Sequence, residues 1–283
     1  MRLDTPKPAK RSIVPFTTPS NTPHSKSTAC SGRIFGRRLS DLSKLLVSLG
    51  DSAGTDVLVP KLLVSACKYI EKNVEIEGIY RMSGSAARQK VRKRTDERAI
   101  LFLMQVMRKD VDAHDTDFQD MEPAPSVLDV ASLLKQFLRE LAVPIVPRIF
   151  HAVLASAVTS SVSDRVENLL LGLLLLPSEH LASFSFLIRH LDTVAQSSGQ
   201  NKMTASNLAI VLTPNLLPVQ DNQSANQPSA KLDRKSVDQN NVNLRRNTHI
   251  LELLIQNSSD VGFVQGSMLE RQVYSFLQTN VEH

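Results

Sequence analysis

Leu128-Asp-Val-Ala-Ser-Leu-Leu-Lys-Gln-Phe-Leu-Arg-Glu-Leu141 is the stretch on which the reading of the fold turns. Val130, Leu133, Leu134, Phe137, Leu138 and Leu141 recur in steps of three and one, which places them on one face of a helix of 3.6 residues per turn. Pro144 and Pro147 end it, because proline lacks the amide donor a continuing helix needs. Lys135 and Arg139 stand four apart and off that stripe, so they share a second face and repel by roughly a few tenths of a kcal/mol. Glu140 and solvent can relieve that repulsion, so the pair alone says little.

Working outward, the same periodicity returns on both sides. Upstream, Pro60 opens a helix whose buried face is Leu62, Leu63, Ala66, Cys67 and Ile70, and which is expected to stop near Asn73. The segment 74–84 reads as a loop bracketed by Gly78 and Gly84, with Ser83 or Ser85 placed to cap a helix over about 86–98. Downstream, helices are expected over about 148–157, 166–176, 179–196 and 205–212, with Pro214 closing the last of them. The third carries Leu181, Phe184, Leu187, Ile188, Leu191 and Val194. Residues 220–241 are rich in Gln, Asn, Ser and Asp and read as a solvated loop, after which Ile250, Leu251, Leu254 and Ile255 mark a helix over about 244–256. Sustained period-two alternation is not seen, so the expected fold is all-α, an irregular multi-helix bundle.

Composition narrows the function. Trp is absent and aromatics make up 5% of the 283 residues, too few for a platform that stacks single-stranded bases. The net charge of +5 is concentrated near the start: residues 1–44 hold nine Lys or Arg against Asp4 and Asp41, a net +7, which leaves −2 for the rest. The expected organisation is a disordered, basic, Pro/Ser/Thr-rich tail over 1–32, a helical domain over 33–262 and a C-terminal extension over 263–283. Such a tail can touch acidic surfaces by releasing counterions, and it equally describes a solvated arm. Cys30 and Cys67 give neither a disulfide framework nor a zinc spacing, which points to a reducing compartment inside the cell, the cytoplasm or the nucleus. The most apolar run, Leu169 to Leu176, is far short of the ~20 residues of a membrane span, and no secretory signal is visible.

Candidate chemistry is sparse. The segment Gly32-Arg33-Ile34-Phe35-Gly36-Arg37-Arg38 has the wrong spacing for a phosphate-cradling loop and lacks its lysine. The acidic stretch Asp110, Asp112, Asp115, Asp117, Asp120, Glu122 lacks the sharp-turn glycine of a calcium loop, so it reads as a solvated acidic loop. His180 and His190 lie ten apart on one helix with no triad partner in view and read as surface or packing residues. No metal and no cofactor is expected. Arg81 sits in Glu77-Gly-Ile-Tyr-Arg-Met-Ser-Gly84, where Ile79 and Tyr80 can anchor the loop while the guanidinium projects. Asn215, between Pro214 and Leu216, is a polar side chain at a helix end that serves as a cap or as a contact.

Four blocks in order, Glu77–Gly84 (EGIYRMSG), Leu133–Leu141 (LLKQFLREL), Leu176–His190 (LPSEHLASFSFLIRH) and Asn201–Leu217 (NKMTASNLAIVLTPNLL), resemble the Rho GTPase-activating (RhoGAP) domain family. With Ile34-Phe35-Gly36 before them and Ser259-Asp260-Val261-Gly262 after, the likeness covers about residues 33–262. The resemblance implies that Arg81 is an arginine finger inserted into the active site of a GTP-bound Rho-family small GTPase. It implies that Lys135 steadies the finger loop and contacts the GTPase, that Arg139 is an accompanying basic position, and that Asn215 bonds the switch region. Negative charge builds on the phosphoryl oxygens during transfer, and a guanidinium supplied in trans meets it, an effect of about 10³ to 10⁵ in rate. The alternative is a catalytically silent scaffold that binds a GTPase or another protein. A third reading, an adaptor for nucleic acid or membrane, rests on the basic tail. Two departures stand out: Leu141-Ala142-Val143-Pro144 where the family usually has Leu-Pro-x-Pro, and a segment over about 95–127 that does not align.

Overall fold

The stripe read in 128–141 is buried along its whole length, and Val130 and Leu133 have no exposed surface. It belongs to the third helix of a computed structural model that describes residues 34–49, 56–82, 97–114, 117–219 and 234–263. Every described residue lies in one compact unit, Ser31–His283; Met1–Cys30 lies outside the described residues. In chain order the described elements are β1 (Lys44–Ser48), β2 (Asp56–Pro60), α1 (Lys61–Glu71), α2 (Glu97–His114), α3 (Val127–Glu140), α4 (His151–Thr159), α5 (Arg165–Leu173), α6 (Ser178–Gln196), α7 (Ala205–Leu216) and α8 (Arg234–Gln256). Short helical turns at Leu39–Asp41, Arg148–Phe150, Ser198–Asn201 and Ser258–Asp260 join them.

The long α6 is central. It packs against α1, α7, α8 and β2, and Phe184, Leu187, Ile188, Leu191 and Val194 are all buried. α3 lies against α1 and α7, so Leu63, Ala66, Cys67 and Ile70 of α1 share one core with the α3 stripe. Burying a Leu, Ile or Phe side chain stabilises the fold by about 1.5 to 3 kcal/mol, which is why the long-period stripes, and not the polar segments, dictate the architecture. Among the described residues no helix is long and apolar enough to cross a membrane.

The all-α reading holds with one small addition, and three expectations need correction. A two-stranded antiparallel hairpin precedes α1, with Leu46 opposite Leu58 and Leu45 opposite Val59. Its alternation is hidden because Leu46 and Leu58, 65% and 54% exposed, are apolar on the solvent face. The acidic stretch is not a free loop. Asp110 and Asp112 lie on α2, and Asp112 Oδ1 accepts the amides of Ile34 and Phe35 at 2.7 and 3.2 Å. Asp117 Oδ1 accepts from the Ser65 hydroxyl at 2.7 Å and from the Gln119 amide at 3.1 Å, next to a buried Phe118. Pro214 does not close α7 but lies inside it, in the last turn, with its ring exposed. The neighbouring carbonyls are bonded by side chains, Thr213 Oγ1 to Ala209 at 2.7 Å and Asn215 Nδ2 to Val211 at 3.3 Å. Finally, α8 starts at Arg234, so 234–241 is helix and not loop. The caps Ser83 and Ser85, nearly all of the helix expected over 86–98, and residues 220–233 and 264–283 lie outside the described residues.

The non-aligning segment also acquires a role. Arg108 of α2 makes a two-pronged bridge to Glu140 at the end of α3, Nη1 to Oε1 at 2.9 Å and Nη2 to Oε2 at 2.6 Å. Its guanidinium lies 4.5 Å above the Phe35 ring, which in turn meets Phe137 edge-on at 6.1 Å. Just beyond α3, Ala142 donates its amide to the carbonyl of Arg37 at 3.0 Å, a bond that a proline at this position cannot make.

Candidate functional site

Lys72 to Met82 leave α1 in a series of turns that ends on Arg81. The amide of Gly78 donates to the Asn201 carbonyl at 2.8 Å, and the Gly78 carbonyl accepts from the amides of Arg81 and Met82 at 2.9 and 2.7 Å. Gly78 has φ +78°, a conformation glycine adopts without penalty, and a Cβ built there falls 2.6 Å from Met82 Sδ. Tyr80 is less comfortable. Its φ of +67° is left-handed backbone for a bulky residue, worth roughly 1 to 3 kcal/mol of strain that persists only where the surroundings over-determine it.

They do so at Tyr80. The ring is buried, and its hydroxyl meets His190 Nε2 at 2.7 Å; His190 Nδ1 meets Glu71 Oε1 at 2.7 Å. The Tyr80 carbonyl accepts from the ammonium of Lys135. Ile79 is also fully buried, so two consecutive side chains pin the loop inward and the third turns out. The Arg81 side chain is 47% exposed, and its partner is a loose one, Glu77 Oε1 at 3.9 Å from Nη2.

Burial pushes the Tyr80 hydroxyl well above the ordinary tyrosine value, and the nearby Cys67 and Glu71 add to the shift. Burial likewise draws the Lys135 ammonium down, and Arg139 on the same face adds to it. Arg139 is exposed. The structure thus joins Arg81 and Lys135 through one peptide, that of Tyr80, and sets Arg139 one turn from Lys135. Asn215 is 7% exposed in the last turn of α7, the helix packed on α3, and its amide bonds within its own helix. His180 and His190 are buried packing residues; His180 Nδ1 meets the Ile145 carbonyl at 3.0 Å.

The residue that sequence reasoning missed is Asn201. Its side chain is buried, Nδ2 donates to the carbonyls of Val74 at 2.7 Å and Val194 at 2.8 Å, and Oδ1 accepts the Met203 amide at 2.7 Å. Asparagine favours such turns, but nothing local in Gln200-Asn201-Lys202 indicates a partner more than a hundred residues away. Among the described residues no group of three His, Cys, Asp or Glu is placed to hold a metal ion.

The RhoGAP domain family model matches residues 60–221. Human "Rho GTPase-activating protein 11A" is 30% identical over 213 residues, 75% of this chain and 18% of that protein. The "Probable Rho-type GTPase-activating protein 4" of Schizosaccharomyces pombe is 31% identical over 166 residues, 58% of this chain and 16% of that protein. The chain therefore spans less than a fifth of the length of these relatives. Among solved structures, human Rho GTPase activating protein 15 superposes with a TM-score of 0.62 at 22% identity, covering 82% of this chain and 92% of that one. The BH domain from GRAF gives 0.55 at 20% identity, covering 71% and 92%. The last two likenesses are likenesses of fold, and they agree with the helical bundle described above. The family is shown by the model match across more than half of the chain: this chain belongs to the RhoGAP domain family.

Proposed function

We propose that this domain stimulates GTP hydrolysis by a GTP-bound Rho-family small GTPase, and that it does so by lending Arg81 to the partner's active site. One observation carries the reading. Arg81 is an exposed guanidinium with one weak ion pair among the described residues, standing on a loop whose preceding residues are locked by burial, two hydrogen-bonded links and a strained backbone at Tyr80. A loop arginine with no task beyond solvation has no need of such a mount. A pre-set cation is useful where charge develops during phosphoryl transfer, because it meets the charge without reorganising.

On this reading the domain completes no reaction alone and carries no nucleotide site of its own. Arg81 offers a planar fork of donors to the phosphoryl oxygens, which a lysine ammonium cannot reproduce. Lys135 holds the Tyr80 carbonyl and so steadies the residue before Arg81, and its ammonium also contributes to GTPase contact. Arg139 adds positive charge on the same face, and Asn215 bonds the partner's switch region from the end of α7. Residues 33–262 form the working domain, with the basic tail left to touch acidic surfaces, and the protein acts inside the cell.

The test is phosphate release from a panel of purified, GTP-loaded Rho-family GTPases, each with and without this protein. Acceleration on at least one member is the expected result. Binding without acceleration on every member contradicts the reading and favours a silent scaffold.

A further inference from the structure

Two consecutive backbone hydrogen bonds connect Arg81 to Asn201: the Arg81 amide donates to the Gly78 carbonyl, and the Gly78 amide donates to the Asn201 carbonyl. We propose that Asn201 is a positioning residue for Arg81, acting through Gly78 from the far side of the loop; the proposal rests on the finger reading of Arg81.

The side chain of Asn201 has no exposed surface, and both Nδ2 donors and Oδ1 are in use. An apolar side chain of similar size can fill buried space without needing partners, so packing alone does not call for this arrangement. What a fully satisfied buried polar network supplies is one geometry. Here the network reaches both ends of the segment that aims Arg81: Val74 by the side chain, Gly78 by the backbone. Its third anchor, Val194, is a buried residue of the central helix α6, so the loop is referred to the core of the fold.

The loop has alternatives to be held against. Gly78 and Tyr80 are both left-handed, at φ +78° and +67°, and so is Lys202 beside Asn201, at φ +60°. Such residues relax when their surroundings loosen. A rotation of the Gly78 peptide moves the acceptor of the Arg81 amide, and displacement of a catalytic group by about 1 Å costs on the order of a hundredfold in rate. Asn201 itself touches no reacting atom; its contribution is the direction in which the guanidinium leaves the domain.

The variant that separates positioning from bulk is Asn201→Ser. A serine hydroxyl can still accept the Met203 amide in a local turn but is too short to reach the Val74 and Val194 carbonyls. Single-turnover hydrolysis is measured against increasing domain concentration, for wild type, Asn201→Ser, Arg81→Ala and the double variant. The expected result is a loss of about tenfold or more in the maximal stimulated rate with the half-saturating concentration within about threefold, and no further loss in the Arg81→Ala background. A maximal rate within about twofold of wild type overturns the proposal, as does an equal fold-loss in both backgrounds, since residues that act as one unit do not add. If Asn201→Ser does not melt cooperatively above the assay temperature, Gly78→Ala takes its place. A Cβ there strains φ +78° and meets Met82 Sδ while leaving the side-chain bonds of Asn201 intact, and a full rate in that variant equally overturns the proposal. Failure of the finger reading shows separately, as wild type and Arg81→Ala giving the same rate, and the positioning role then falls with it.

Discussion

Two arginines of this domain are handled in opposite ways. Arg108 is drawn into the protein: two short bonds to Glu140, a ring of Phe35 beneath it, and Gln136 Nε2 on the same carboxylate at 2.8 Å. Arg81 is held out, its one ion pair among the described residues a loose 3.9 Å, although Ile79 and Tyr80 just before it are buried. The first arrangement uses a guanidinium to join α2, the 34–36 segment and the end of α3. The second uses the fold to hold a guanidinium exposed. The difference teaches that rigidity of the mount and engagement of the side chain are separate properties, and only their combination at Arg81 points to a role outside the molecule.

The comparison is broken most easily at Arg81. Arg81→Ala is expected to lower the stimulated hydrolysis rate by about 10³ to 10⁵, roughly 4 to 7 kcal/mol of barrier, while Arg81→Lys restores little. Its stability should stay within about 0.5 kcal/mol of wild type, so a thermal melt that falls by many degrees would place this residue in the fold after all. Arg108→Ala is the mirror image. Losing a paired, charge-assisted bridge and a cation–π contact is expected to cost about 1 to 3 kcal/mol of stability by denaturant titration, with the stimulated rate at saturation within about twofold of wild type. A rate loss comparable to that of Arg81→Ala, with the melt unchanged, would erase the contrast.

Lys135 lies between the two. Lys135→Met is expected to reduce activation by about tenfold through the Tyr80 carbonyl and the partner, with a stability change under about 1 kcal/mol, because the hydrogen bond lost and the desolvation relieved oppose each other. The sign of its pH effect follows from burial. A lysine whose folded pKa lies below its unfolded value binds fewer protons when folded, so it makes stability rise with pH across the alkaline window between the two values. Lys135→Met should flatten that rise, which paired melts near neutral and alkaline pH would detect. The smallest expected effect belongs to Ala142→Pro. It introduces the proline that the resemblance implies here but removes the amide that bonds Arg37, for a net loss of about 1 kcal/mol; a higher melting temperature would show that the bond does not stand in for the proline.

The helices α3 and α6 were legible because each buries one continuous stripe, and period is what a sequence displays most directly. The exposure of Arg81 and the inward turn of Ile79 and Tyr80 were legible for a related reason, a glycine-bracketed loop carrying two large apolar residues before a cation. The mount was not. Tyr80 to His190, Gly78 to Asn201 and Lys135 to Tyr80 join residues 110, 123 and 55 positions apart, and no local pattern encodes such pairs. The acidic stretch misled for the same reason: Asp112 and Asp117 are solvated in any local view, and only the arrival of Ile34, Phe35 and Ser65 makes them acceptors inside the fold. The hairpin was missed on different grounds, since its solvent face carries leucines where an amphipathic strand would carry polar residues.

The central claim is that Arg81 acts on charge that exists only during phosphoryl transfer, and its most direct test is binding to a transition-state mimic. Equilibrium affinity is measured for a partner GTPase loaded with a non-hydrolysable GTP analogue and for the same GTPase carrying GDP with aluminium fluoride. The account expects wild type to prefer the aluminium fluoride form by about a hundredfold or more, and Arg81→Ala to bind the GTP-analogue form nearly as wild type does while losing that preference. An Arg81→Ala domain that keeps the full preference would contradict it.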